Sequence, residues 1–197
     1  MTELGLILIT LCLLFSACNI SSIPQKGPIG SSDAPPMKKE KIIEWKEFVS
    51  DEGRFKINFP DTPHQSFKEN DTPNGKVKTT IFDVALSEDY FEIRYADFLA
   101  EPDVDQNNLK RYYDFIRDNT LKLQPSTLLS ERDFSLNGKA GRELIINVNG
   151  TYIKYRLILI GRRMYQASTR VEISRKDDPQ IQERTDKFLD SFQIMEN

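Results

Sequence analysis

Apolar and polar residues alternate over residues 142–171, RELIINVNGTYIKYRLILIGRRMYQASTRV, and the pattern predicts three consecutive antiparallel strands. Asn149-Gly150 predicts a two-residue type I′ turn, which needs positive φ at both central positions. Gly161-Arg162 fits a type II′ turn, which wants glycine first. Two-residue loops set the register. Val148 falls opposite Thr151, Ile146 opposite Ile153 and Leu144 opposite Tyr155, all on one face. Asn147 with Tyr152, Ile145 with Lys154, and Glu143 with Arg156 take the other. The second turn sets Leu159 against Met164 and Leu157 against Gln166 on the first face, and Ile158 against Tyr165 on the second. The first face is nearly all apolar and is expected to carry the main core, while the second is mixed. A one-residue slip would exchange the faces, so the turns decide what is buried.

The remaining periodicity extends this frame. Structure is expected from Ile43, with Trp45 and Phe48 pinning the chain to the core. Phe55, Ile57 and Phe59 alternate with charged and polar residues, a half-buried strand that Pro60 ends. Residues 60–75, PDTPHQSFKENDTPNG, read as a loop. Residues 77–86 predict a strand whose apolar parity switches at Phe82, which implies a bulge or burial on both faces. Another strand is expected over 90–97. Leu109, Tyr112, Tyr113, Ile116, Thr120 and Leu123 form one stripe of a helix over 101–124, capped by Asp103 or Asp105. Residues 127–136 predict a strand, and Asn137-Gly138 a turn. A second helix follows Asp178-Pro179, with Ile181, Thr185, Phe188, Leu189 and Phe192 along its apolar side.

The first 41 residues behave differently. Residues 4–17, LGLILITLCLLFSA, are an apolar run of fourteen, short of the roughly 20 a membrane span needs and suited to a signal peptide. The junction Leu14-Phe15-Ser16-Ala17-Cys18 resembles a bacterial lipoprotein signal, with small residues before the cysteine that becomes lipidated. Phe15 stands where leucine is usual, and MTELG carries no Lys or Arg. The expectation is a signal peptide over 1–17 and a lipid-modified, palmitate-bearing Cys18. An uncleaved signal, or ordinary cleavage after Ala17, is the alternative. Residues 18–41 then form a Ser-, Pro- and Gly-rich tether without periodicity, ahead of a single domain over 42–197.

Composition narrows the function classes. A formal net charge of −3 argues against a dedicated nucleic-acid binder. Both cysteines, Cys12 and Cys18, lie in the first eighteen residues, so the domain over 42–197 holds neither disulfide nor thiol nucleophile.

In order and spacing, EGRFKINFP (52–60), IRYADF (93–98), NGKAGREL (137–144), RRMYQA (162–167) and KFLDSFQI (187–194) resemble the stand-alone PsbP-like domains of bacterial lipoproteins and secreted proteins. The resemblance covers about residues 44–194. It implies an α+β fold: an antiparallel sheet with two main helices packed on both faces, an α/β/α sandwich of PsbP-like type. The named members of that family are accessory subunits of the oxygen-evolving photosystem, and the resemblance transfers no functional residue.

Catalytic chemistry is sparse. His64 is the single histidine, and no G-x-S-x-G, C-x-x-C, H-E-x-x-H or P-loop motif accompanies it. Asp103, Asp105, Asn107 and Asp114 occupy positions 1, 3, 5 and 12 of an EF-hand-like loop, but Asn108 replaces its glycine, and acidic residues also suit a helix N-terminus. Arg94, Asp97, Arg142, Tyr112 and Tyr113 are candidates to line a cleft, or else core rims and surface ion pairs. The expectation is a lipid-anchored, non-catalytic binding or accessory domain on the extracytoplasmic side of a bacterial membrane. It uses no cofactor, metal or nucleic acid, and an envelope protein is its candidate partner. The alternative is a carboxylate-based envelope hydrolase using Glu92 or Asp97, for which facing carboxylates of raised pKa would be the sign.

Overall fold

The computed structural model describes residues 43–72, 75–99, 106–123 and 125–195. Cys18, the signal and tether, Asp103 and Asp105 lie outside them. In chain order the elements are β1 (Lys46–Ser50), β2 (Phe55–Phe59), β3 (His64–Thr72), β4 (Gly75–Ala85), β5 (Asp89–Asp97), α1 (Gln106–Leu123), β6 (Ser126–Leu136), β7 (Lys139–Val148), β8 (Thr151–Ile160), β9 (Arg163–Glu172), a 3-10 turn (Ile173–Arg175), α2 (Pro179–Asp190) and β10 (Gln193–Ile194). Seven strands form an antiparallel sheet in the order β3-β4-β5-β9-β8-β7-β6, and β1-β2-β10 form a small second sheet.

The meander has the register the turns dictate. Val148 pairs with Thr151, Leu144 with Tyr155 and Glu143 with Arg156, then Leu157 with Gln166 and Leu159 with Met164. Asn149 and Gly150 both have positive φ, 50° and 84°, as a type I′ turn requires. The apolar face of β7–β9 packs against Tyr112, Tyr113 and Ile116 of α1. The opposite face packs Ile158, Tyr165 and Ala167 with Phe91 and Ile93 of β5 under Phe55, Ile57 and Phe59 of β2 and Phe188 and Leu189 of α2. Phe55, Phe59, Phe91 and Phe188 have no exposed surface, so truncating any one to alanine would cost about 3–5 kcal/mol.

The parity switch in β4 is burial on both faces rather than a bulge. Its pairing with β3 and β5 runs without a shift, Val77 joins the α1-side core, and Phe82 and Val84 join the other. Two expectations need correction. Residues 64–72 are a strand, not part of a loop: HQSFKENDT bonds along β4 by its backbone, and as an edge strand it needs no apolar alternation. The α/β/α layering is met only as an antiparallel sheet with two helices, because α2 shares its face with the three-stranded sheet. Tyr165 ties the two sheets together by donating from its hydroxyl to the Gly53 carbonyl at 2.8 Å. Asp178 caps α2 as expected, accepting from the Gln180 amide at 3.0 Å with Pro179 in the first turn.

Candidate functional site

Strand parity brings charge into the sheet. Ala96 and Met164 belong to the α1-side core, so Glu92, Arg94, Gln166, Ser168 and Arg170, each an even number of residues away, share that face. All but Arg170 are buried, Glu92 to 2% exposure. Arg94 grips Glu92 through Nε at 2.6 Å and again through Nη2. Arg170 reaches the second carboxylate oxygen at 3.1 Å, and the Tyr90 hydroxyl donates to it at 3.2 Å. The Arg170 guanidinium lies 4.7 Å from the centre of the Tyr90 ring. Burial alone would raise the Glu92 pKa, but the charges of Arg94 and Arg170 and the hydrogen bonds from Arg94 and Tyr90 outweigh it and hold it below the usual carboxylate value. The Tyr90 phenol is pushed up by burial and then by the Glu92 charge.

The other singled-out residues separate. Asp97 ends β5 and pairs with Arg163 through both oxygens, at 2.7 and 2.6 Å. Arg163 also donates to the Glu52 carbonyl at 2.6 Å, so this pair fastens the β1–β2 turn to the sheet. Arg142 is buried among carboxylates: Asp133 at 2.7 Å, Asp114 at 3.0 Å, and Glu131. Asp114 also accepts from Arg117 at 3.2 Å. It lies well inside α1, and residues 106–114 are helical rather than an EF-hand-like loop. Tyr113 accepts from the Leu159 amide at 3.0 Å and donates to the Ala140 carbonyl at 3.1 Å; burial lifts its pKa to about 12. Tyr112 packs edge-on against Phe98, and burial raises its phenol well above the ordinary value. His64 is exposed at the start of β3, 3.6 Å from Asp83. No group of three or more metal-ligating side chains converges among the described residues.

Sequence reasoning named Glu92 and Arg94 but not Tyr90, Thr79, Ser168 or Arg170 around them. A signal existed. Gln166 falls on an otherwise apolar face in the derived register, and Ser168 and Arg170 follow it at the strand period. Arg170 comes 78 positions after Glu92, and only the β5–β9 pairing brings them together.

No family model matches the chain, and no curated protein matches it significantly. Among solved structures it is similar to the cyanobacterial PsbP protein CyanoP from Synechocystis, at 12% identity and a TM-score of 0.53, over 85% of this chain and 99% of that one. Looser matches are a Bacteroides thetaiotaomicron protein (13% identity, TM-score 0.37, 77% of this chain and 49% of that one) and a Pseudomonas aeruginosa protein of unknown function (11%, 0.39, 72% and 94%). Two helices on a meandering antiparallel sheet, the ordered motifs along the chain and the near-complete coverage of CyanoP lead to one conclusion: this chain has a PsbP-like fold.

Proposed function

We propose that this protein is a bacterial lipoprotein, anchored through Cys18, whose PsbP-like domain is a non-catalytic binding or accessory module of the cell envelope. The observation that carries the non-catalytic half is the state of the two carboxylates a hydrolase would use. Glu92 is buried, saturated by two guanidiniums and a phenol, and held below its usual pKa, the opposite of an acid poised near neutrality. Asp97 is clamped by both oxygens to Arg163. The two carboxylates are not neighbours on one face, since Asp97 stands an odd number of residues from Glu92 along β5. The apolar run over 4–17 and the Ser16-Ala17-Cys18 junction support the anchor, and a tether over 18–41 would hold the domain near a membrane surface. Mass spectrometry of the native N-terminus tests the anchor: an acylated Cys18 is expected, and an unmodified cysteine or a different start overturns it. Crosslinking in native membranes tests the module, with specific capture of an envelope protein as the expected result. Hydrolytic activity lost in Glu92→Gln would overturn the non-catalytic reading.

A further inference from the structure

Two hairpins of the large sheet turn on the same pair of residues. Asn137-Gly138 joins β6 to β7, and Asn149-Gly150 joins β7 to β8. Their backbones match, with φ of 50° and 75° in the first turn and 50° and 84° in the second. An asparagine followed by glycine can modify itself, because no Cβ hinders the glycine amide. That amide nitrogen gives up its proton and bonds to the asparagine Cγ, ammonia leaves, and a cyclic imide forms. Water then opens the imide at either carbonyl, giving aspartate or iso-aspartate. A type I′ turn holds the attacking nitrogen away from Cγ, so the turn must open before the ring can close. The cost of opening is what separates the two sites.

Asn149-Gly150 is held shut. The Gly150 amide donates to Asn147 Oδ1 at 3.0 Å, and the Gly150 carbonyl accepts from the Ile173 amide at 2.7 Å. The flanking pair, Val148 and Thr151, is buried, and the hairpin lies inside the sheet between β6 and β9. Asn137-Gly138 is held less firmly. Ser135 stands where Asn147 stands in the other hairpin, and it makes no such bond to Gly138 among the described residues. Asn137, Gly138 and Lys139 are exposed, and Leu136, which pairs with Lys139, is only half-buried. β6 is the last strand of its sheet and pairs with β7 alone. A hairpin at an exposed edge opens at a lower free energy than one inside the sheet.

We infer that Asn137 is a site of spontaneous deamidation whose iso-aspartyl product loosens β6, while Asn149 is protected. The iso-aspartyl link adds a backbone carbon to a turn whose two-residue length fixes the β6–β7 register. The test is peptide mapping of the folded full chain held at pH 8, following amide-to-acid conversion and iso-aspartate at each site. Asn137 is expected to convert at least about tenfold faster than Asn149, the effect of the hydrogen bonds that hold Gly150. In urea each asparagine precedes a glycine in an open chain, so the two rates should converge. Asn147→Ala should speed conversion of Asn149, and Ser135→Asn, which supplies the missing acceptor, should slow that of Asn137. Wild type aged at pH 8 should lose more Tm than Asn137→Gly aged alongside it, whose Gly-Gly turn keeps the type I′ geometry. Asn149 converting as fast as Asn137 in the folded chain overturns the site. A gap that survives in urea overturns the protection by structure. Unchanged rates in both Asn147→Ala and Ser135→Asn overturn the hydrogen bond on the glycine amide as its source. Equal Tm losses in wild type and Asn137→Gly overturn the loosening of β6.

Discussion

Glu143 and Arg156 offer the sharpest test of how the sheet is layered. They are direct cross-strand partners, and Arg156 donates to Glu143 at 2.8 Å. Arg132 donates to the other oxygen at 2.7 Å, and Arg156 reaches Asp190 of α2 at 2.7 Å. The Glu143 side chain is 3% exposed and that of Arg156 14%, whereas Arg132 is 60% and Asp190 64% exposed. The inner pair is therefore covered and its outer partners are solvated. Removing one member of a buried pair costs about 3–5 kcal/mol. Arg156 keeps Asp190 and some water, which places Glu143→Ala lower, at about 2–3 kcal/mol. Urea unfolding of wild type, both single alanine variants and the double variant isolates the coupling, expected at about 1.5–3 kcal/mol and little changed in 1 M salt. Replacing both residues with leucine should cost less than either single alanine change, because the solvated Arg132 and Asp190 can be left to water. Coupling below about 0.5 kcal/mol that vanishes in salt would refute the covered pair, since that is how an exposed bridge behaves.

Acid should weaken the fold through Glu92 and Glu143. Both are held below the usual carboxylate pKa, so the unfolded chain takes up protons first; their stabilisation is complete above about pH 5 and falls away as pH drops through the folded values. Urea midpoints between pH 6 and pH 3 should fall less steeply in Glu143→Gln than in the wild type, and an identical slope would reject the assignment. Among glycines, Gly150→Ala should cost about 1–2 kcal/mol through its φ of +84° alone, since its Cβ would meet nothing within 4 Å. Gly141→Ala should cost at least about 2–3 kcal/mol by overpacking, because its Cβ would lie 2.5 Å from the Phe134 ring and 2.8 Å from the Leu157 carbonyl; equal Tm losses would contradict this ordering. A chain beginning at Lys41 should still unfold in one cooperative thermal transition, and a broad non-cooperative loss of signal would show that the leader or tether contributes to the core.

What the amino-acid sequence determined by itself is local. A two-residue turn leaves only one way to pair the strands beside it, so Asn149-Gly150 and Gly161-Arg162 set every partner in β7–β9, Glu143 with Arg156 included. The helix stripes were legible for the same reason, because a 3.6-residue period over four turns has few competing explanations. Glu92 and Arg94 were close to legible, two positions apart on one strand and so on one face. β3 was not, because an edge strand held by backbone bonds leaves no apolar imprint, and its Asp, Asn, Glu and Lys are poor strand formers. Nor was the meeting of β5 with β9, which joins segments more than 60 positions apart across α1 and three strands. That pairing puts Arg170 on Glu92 and Gln166 beside Arg94. It is long-range: closing the intervening chain is offset only when Phe91, Ile93, Tyr165 and Ala167 bury together on the far face. The polar patch on the near face therefore exists only once the apolar core behind it has formed.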